Sequence, residues 1–299
     1  MSGGDAVATY EVSKRYGREI ALDRVDLRVP DEAVYVLAGA NGAGKSTTLK
    51  VLMNLERADA GTAEILGLDT VRCGPEARAQ VGYVSERPEP GYRWMTCGRL
   101  LEHAARYYPT WDCAYADHLN RTFGLRLHRK VATLSKGESR RLQLLLALAH
   151  RPPVLLLDEP TDGLDPVVRN RTLSLLAEHL ADTPTTVLIS THHIHELESL
   201  ADHVGIVRNG RLVAQMPRDE LQRAVGRYRV EVPDGWQATR QLQLAGARTN
   251  GSREAQWTLV GEQRELIDRL TLSGALVHEV QPLALEEATV ALLAEEVTR

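Results

Sequence analysis

Gly39-Ala40-Asn41-Gly42-Ala43-Gly44-Lys45-Ser46-Thr47 is the stretch from which the rest of the chain can be read. The apolar run Ala33-Val34-Tyr35-Val36-Leu37-Ala38 before it predicts a buried parallel strand. After it, Leu49, Val51, Leu52 and Leu55 fall at helical spacing. Strand, glycine-rich turn and helix are the context in which G-x-x-x-x-G-K-[ST] forms a phosphate-binding loop. Glycines let the backbone curl until several N–H groups point at one anion, and the helix adds its positive end. Lys45 then reaches β- and γ-phosphates, and the Ser46 hydroxyl suits a Mg²⁺ ligand. The loop predicts a bound nucleoside triphosphate held by Gly39, Asn41, Gly42, Ala43, Gly44, Lys45, Ser46 and Thr47.

The 299 residues are enough for one large domain and a small one, and 43% hydrophobic content is ordinary for a folded core. A net charge of −4 gives no electrostatic reason to expect nucleic acid as a partner. Cys73, Cys97 and Cys113 are scattered and odd in number, which predicts reduced thiols in a cytoplasmic protein. Met1-Ser2-Gly3-Gly4-Asp5 has no basic segment leading into an apolar one, so no secretory signal is expected. No apolar run approaches the roughly 18 residues that span a bilayer.

Alternation predicts strands over Ala6–Val12 and Arg24–Val29, joined through Lys14-Arg15-Tyr16-Gly17 and Ala21-Leu22. Further strands are expected at Thr62–Leu66 and Val81–Val84. From Thr96 to His128 the spacing turns helical, and Ser135 caps a third helix that Pro152-Pro153 ends. Val154–Leu157 and Thr186–Ser190 read as strands, Val167–Leu180 and His195–Ala201 as helices, and Asn209-Gly210 as a hairpin turn. Beyond residue 226, Tyr228–Val232, Gln256–Val260 and Val277–Val280 read as strands, with helices over Glu262–Leu272 and Leu285–Val297. Tyr228, Trp236 and Trp257 are expected in the core of this small unit.

Val154-Leu155-Leu156-Leu157-Asp158-Glu159 supplies the second half of a nucleotide site. An apolar strand drives two carboxylates to its carboxyl end, where parallel α/β sheets bind ligands. Asp158 is placed to hold Mg²⁺ through water, and Glu159 to polarise an attacking water. Leu134-Ser135-Lys136-Gly137-Glu138 puts a hydroxyl and a glycine at another helix start, a second phosphate-binding end. The first such end already serves the chain's own nucleotide, so Ser135 and Gly137 are expected to serve that of a second copy.

In these motifs, over residues 6 to 220, the chain resembles the nucleotide-binding subunit of ABC transporters. The glycine loop is similar to the family's Walker A, with Ala40 in place of proline. Leu134 to Glu138 resembles the L-S-G-G-Q signature, with Lys136 and Glu138 at its third and fifth positions. Lys136 should help bind the partner's phosphate. Asp162-Gly163-Leu164-Asp165 resembles the D-loop that couples two sites across a dimer, which makes Asp165 a site residue. Ser190-Thr191-His192 resembles the switch histidine, so His192 is carried over as the γ-phosphate sensor. Tyr16 sits where the family stacks an aromatic on adenine, and Glu86 stands where the Q-loop carries glutamine, still a hard oxygen ligand for Mg²⁺. His192, His193, His195 and Glu196 lack the i, i+4 spacing of a helical zinc site.

The resemblance implies an α/β fold: a P-loop core with a mixed sheet, an N-terminal antiparallel β-region and a helical subdomain over 88–150. The ATP-binding domain is expected over 1–225 and a small α+β appendage over 226–299. It implies a Mg-ATPase that dimerises, as a homodimer or with a paralogue, and drives a separate integral membrane permease from the cytoplasmic face. Lys45, Glu159 and His192 would be catalytic, and Ser46, Asp158 and Glu86 would hold the metal. The segment Arg87-Pro88-Glu89-Pro90-Gly91-Tyr92-Arg93-Trp94-Met95-Thr96 lies near the family's groove for the membrane subunit, and Trp94 reads equally as a contact there or as core. The branch resembled is that of bacterial drug and antibiotic exporters. An importer subunit and a soluble ATPase without a transport role are the alternatives.

Overall fold

The computed structural model describes residues 4–87, 92–239, 242, 246, 247 and 253–295, without the side chains of 294 and 295. Residues 88–91 of the segment before Thr96, and the predicted helical end at 296–297, lie outside them. The first part of the chain carries β1 (Asp5–Tyr16), β2 (Glu19–Val25), β3 (Arg28–Pro30), β4 (Val34–Ala38), α1 (Lys45–Leu52), β5 (Ala60–Ile65), β6 (Leu68–Asp69), α2 (Gly74–Ala79) and β7 (Val81–Val84). Next come α3 (Cys97–Ala105), α4 (Cys113–Phe123), α5 (Lys136–Leu148), β8 (Val154–Asp158), α6 (Pro166–Asp182), β9 (Thr186–Thr191), β10 (His203–Arg208), β11 (Arg211–Pro217) and α7 (Arg218–Ala224). The chain continues through β12 (Val225–Glu231), β13 (Glu254–Val260), α8 (Gln263–Leu272), β14 (Leu276–Pro282) and α9 (Leu285–Glu295).

A six-stranded sheet in the order β11-β10-β4-β9-β8-β7 organises the large part of the molecule. Neighbours from β10 to β7 are parallel, and β11 joins antiparallel through Asn209-Gly210, both at positive φ, as a tight hairpin demands. Every residue of β4 and β8 is buried, which is why their sequences are apolar runs rather than alternations. One face packs on Leu119, Phe123, Leu145 and Leu148 of the helical segment. The other packs on Leu49 and Leu52 of α1 and on Val7, Val12 and Val29 of the first sheet. That sheet runs β2-β1-β5-β6, with β3 also on β1.

Local capping follows the sequence. Thr96 accepts from the Arg99 N–H, Asp112 from the Tyr115 N–H, and Gly124 closes α4 in the left-handed region. Ser135 and Glu138 form a reciprocal capping box at the start of α5.

Two local expectations are corrected. The strand over 24–29 is broken, and Ala21-Leu22 lie within β2 rather than in a connection. The break falls at Asp26-Leu27, where the Thr9 hydroxyl donates to the Val25 carbonyl at 2.8 Å and accepts from the Leu27 N–H at 2.9 Å, between the Val12–Val25 and Val7–Val29 pairs. The helix over His195–Ala201 is only a short 3-10 turn, Ile194–Leu197. A three-residue period brings Ile194 and Leu197 into the core together, and Glu196 is held at 2.6 Å by Arg169 of α6. Trp94 is 69% exposed, which removes its core reading.

The small antiparallel sheet, β13-β12-β14, buries Tyr228, Trp257, Leu266 and Leu270, with Trp236 stacked on Trp257 at 5.3 Å. The chain then returns. Leu285 and Ala288 of α9 pack into the core of the large sheet with Leu197, Val204 and Leu221. Arg208 donates to the Leu293 carbonyl at 2.9 Å, and the Leu285 N–H donates to Glu198 at 3.0 Å.

Candidate functional site

The carboxyl ends of β4, β8 and β9 meet at one point, because their register sets Ser190 beside Asp158 and Thr191 beside Ala38. The glycine loop closes over this point. Gly44 ends it at φ 113, where a Cβ would stand 2.6 Å from the Ala21 carbonyl oxygen, so only glycine fits. Lys45 folds back, donating from Nζ to Gly39 O at 2.7 Å and Ala40 O at 3.2 Å, and lies 3.7 Å from Glu159. Burial pulls the Lys45 ammonium below its usual range, while Glu159 and Asp158 pull the other way.

Asp158 is fully buried. Its Oδ1 accepts from Ser46 Oγ at 3.0 Å and from the Ser190 hydroxyl. Its Oδ2 has no hydrogen-bond partner among the described residues. A buried carboxylate oxygen without a donor, beside a serine hydroxyl, is a fit for a hard cation. Among the described residues no group of three or more His, Cys, Asp or Glu is arranged to hold a metal alone. That donor set suits Mg²⁺, which keeps waters and phosphate oxygens as its remaining ligands.

Glu159 follows at φ 48, a left-handed conformation that turns its side chain out of the strand. One oxygen lies 2.9 Å from His192 Nδ1, and the other accepts from Thr191 Oγ1 at 3.2 Å. Thr191 in turn accepts from the His193 N–H at 2.9 Å, so one hydroxyl joins Glu159 to the turn that carries the histidines. The His193 ring lies against His192 at 3.7 Å, while His195 meets Glu286 at 3.1 Å.

A cavity of about 520 Å³ brings together Tyr16, Asn41, Gly42, Gly44, Lys45, Ser46, Thr47, Glu86, Glu159 and His192, with Glu19, Ala21 and Asp162. Tyr16 stands at its rim, 42% exposed, with Lys14 Nζ 5.3 Å from its ring centre. Burial and the neighbouring Glu56 carboxylate push its hydroxyl pKa up. Gly39 and Ala43 lie in the loop but are not among the lining residues.

Ser135, Gly137 and Asp165 do not line this cavity either. Ser135 is exposed and accepts from the Glu138 N–H at 3.2 Å, while Glu138 accepts from the Ser135 N–H at 2.9 Å and binds Arg129 at 2.7 Å. Hydrogen bonding from Ser135 holds the Glu138 carboxyl below its usual pKa. Asp165 caps α6, accepting from Val167 and Val168 N–H at 3.1 and 3.0 Å. Lys136 pairs at 2.8 Å with Asp162 of the same chain, whose pKa this hydrogen bond lowers.

The sequence reading passed over Thr191 and Arg140. Arg140 is 2% exposed and donates to the carbonyls of Ser85 at 2.5 Å, Glu86 at 2.7 Å and Asp158 at 3.3 Å. Its only sequence signal is position: it falls four residues after Lys136, on the helix face that also carries Leu144.

Known proteins resemble the chain in sequence and in fold. The sequence model of the family described as ABC transporter matches residues 22–162. The daunorubicin resistance ATP-binding protein DrrA3 of Streptomyces coeruleorubidus is 38% identical over 235 residues, which cover 76% of this chain and 73% of that protein. The Nod factor export ATP-binding protein I of Burkholderia lata is 31% identical over 299 residues, covering 95% of this chain and 96% of the relative. Among solved structures, an ATP-binding subunit of an ABC transporter superposes with a TM-score of 0.66 at 30% identity, over 73% of this chain and 92% of the other. The dimeric cassette MJ0796 shares the fold, with a TM-score of 0.61 at 23% identity over 71% and 98%. No helix among the described residues is long and apolar enough to cross a membrane. On these likenesses the chain belongs to the ABC transporter family, as one of its ATP-binding subunits.

Proposed function

We propose that this chain hydrolyses Mg-ATP as one half of a dimer that drives export through a separate membrane protein. The observation that carries the reading is the convergence of Lys45, Ser46, Glu159 and His192 on one cavity, with Asp158 buried directly behind Ser46. Phosphoryl transfer needs positioning and charge neutralisation more than covalent help. Lys45 leaves the Gly39 and Ala40 carbonyls to meet phosphate oxygens. Ser46, Asp158 and Glu86 hold Mg²⁺, which neutralises phosphate charge when bound. Glu159, pinned by Thr191, orients the attacking water. His192, oriented by the contact of its Nδ1 with Glu159, presents Nε2 to the γ-phosphate. Tyr16 takes the adenine.

Ser135 and Gly137, outside the chain's own cavity at the exposed start of α5, serve the triphosphate of a second copy, and Asp165 lies in the loop that faces it. ATP held between two copies favours the closed pair, and hydrolysis releases it. The dimeric MJ0796 cassette has the same fold, and names such as daunorubicin resistance and Nod factor export support an exporter. Exposed Trp94, Tyr92 and Tyr107 form an aromatic surface suited to the membrane subunit at the cytoplasmic face, at 69%, 47% and 70% exposure. β12, β13, α8 and β14 form a small α+β appendage to the ATP-binding domain, and α9 returns to that domain's core. Mg²⁺-dependent phosphate release, measured against a Lys45→Ala control, tests the enzyme: turnover no greater than the control rejects it. Affinity capture from membranes tests the partner, and recovery of the chain without any polytopic protein counts against the transport role.

A further inference from the structure

One buried cation has no part in the chemistry above. Arg140 sits in the second turn of α5, and its guanidinium ties the tips of two adjacent parallel strands. NH2 donates to the Glu86 carbonyl at 2.7 Å, and NH1 donates to the Ser85 carbonyl at 2.5 Å and the Asp158 carbonyl at 3.3 Å. NH1 also meets Gln143 Oε1 at 3.2 Å, and Gln143 Nε2 reaches Ser85 Oγ at 3.4 Å, so the guanidinium is itself oriented. The pairing of Val84 with Leu157 brings the two strand tips within one side chain's reach. Burial lowers the guanidinium's pKa, against the opposing pull of Asp162, Asp158, Glu86 and Glu159. A planar fork with five donors can satisfy three carbonyls at once, which an ammonium on a flexible stem cannot do in the same geometry.

We infer that Arg140 is a positioning residue that fixes the Glu86 segment against the tip of β8, so that Glu86 and Asp158 address a single divalent cation. This rests on the Mg-ATP reading of the cavity. Its consequence is specific: the contribution of Glu86 to metal binding exists only while Arg140 holds the segment.

The test is a double-mutant cycle read by Mn²⁺ electron paramagnetic resonance in the presence of a non-hydrolysable ATP analogue, so no turnover is involved. Glu86→Ala should weaken Mn²⁺ binding about tenfold, and Arg140→Lys should weaken it by a similar factor, the scale typical of groups that orient metal ligands. The double variant should be within about twofold of either single one, because both remove the same contribution. Losses that multiply would mean that Arg140 supports the site without acting through Glu86, and overturn the inference. Unchanged affinity in Arg140→Lys or in Glu86→Ala would overturn it as well. Should Arg140→Lys fail to fold, Gln143→Leu, which keeps the guanidinium but removes its orienting partner, takes its place in the cycle. It should then give a smaller loss that Glu86→Ala abolishes. If the parent binds analogue but no analogue-dependent Mn²⁺, the Mg-ATP reading itself fails and takes this inference with it. A parent that binds both, with Glu86→Ala weakened and Arg140→Lys equal to the parent, sinks the role of Arg140 alone.

Discussion

Two buried imidazoles make this fold sensitive to acid, and the size of the effect can be worked out. His179 of α6 hydrogen-bonds Tyr115 at 3.0 Å, lies 3.5 Å from Thr185 Oγ1, and stacks on Tyr115. His150 stacks on Tyr108 at 3.9 Å, with its Nδ1 unpartnered. Burial lowers both pKa values to about 4, helped for His179 by Arg151 and for His150 by His179. In the unfolded chain each ring titrates near 6.5, the ordinary value for histidine. Between these values the unfolded state binds more protons, so stability is full above the unfolded pKa and falls as pH drops towards the folded one. From pH 7.5 to pH 5 each ring costs about 2 kcal/mol, or about 4 kcal/mol together, a large share of an ordinary folding free energy. Urea titrations at the two pH values, read by tryptophan fluorescence, measure it. His179→Gln should lose only about half as much between them, since one titrating ring remains. A midpoint unchanged between pH 7.5 and 5, or an identical pH dependence in His179→Gln, would refute the reasoning.

Thr191→Val removes the hydroxyl that binds Glu159 and accepts from His193, so kcat should fall about tenfold with little change in ATP affinity, while Thr191→Ser retains both. Equal kcat in the valine and serine variants, by steady-state phosphate release, would speak against it. Glu138→Ala breaks the capping box at the start of α5 and removes the Arg129 ion pair, and denaturant titration should show a loss of about 1 kcal/mol. Lys136→Ala breaks a half-exposed pair with Asp162, so stability should change by less than about 1 kcal/mol, and a larger loss would mean that the pair is not screened as its exposure implies.

The strongly local features were legible in the sequence. The glycine loop, the apolar β8 run with its terminal carboxylates, and the Ser135 cap each need only a few neighbouring residues to state their geometry. Residues whose role depends on what folds against them were not. Arg140 and Arg141 are adjacent, yet Arg140 turns to the strand tips while Arg141 turns to the Phe123 carbonyl, a choice set by the helix's rotation against β7. In sequence Thr191 is only the residue between Ser190 and His192, and its hydroxyl gains a role when Glu159, 32 positions away, arrives beside it. The alternation through Val25, Leu27 and Val29 looked like one strand because the break at Asp26-Leu27 is made by the hydroxyl of Thr9, a residue from another strand. The His195–Ala201 helix failed for a related reason, since no side chain caps its start and the buried Ile194 and Leu197 sit three apart. The packing of α9 on the large core could not be read from a sheet and helix that seem, in sequence, to belong together.

The central claim is that the nucleotide site is completed by a second copy at Ser135 and Gly137. Sedimentation of Glu159→Gln, with and without Mg-ATP, addresses it most directly, alongside the same variant carrying Ser135→Arg. We predict a monomer without nucleotide, a dimer with it, and a monomer that still binds ATP once Ser135 is replaced. A Glu159→Gln chain that stays monomeric at saturating Mg-ATP, or a dimer indifferent to Ser135→Arg, would contradict it.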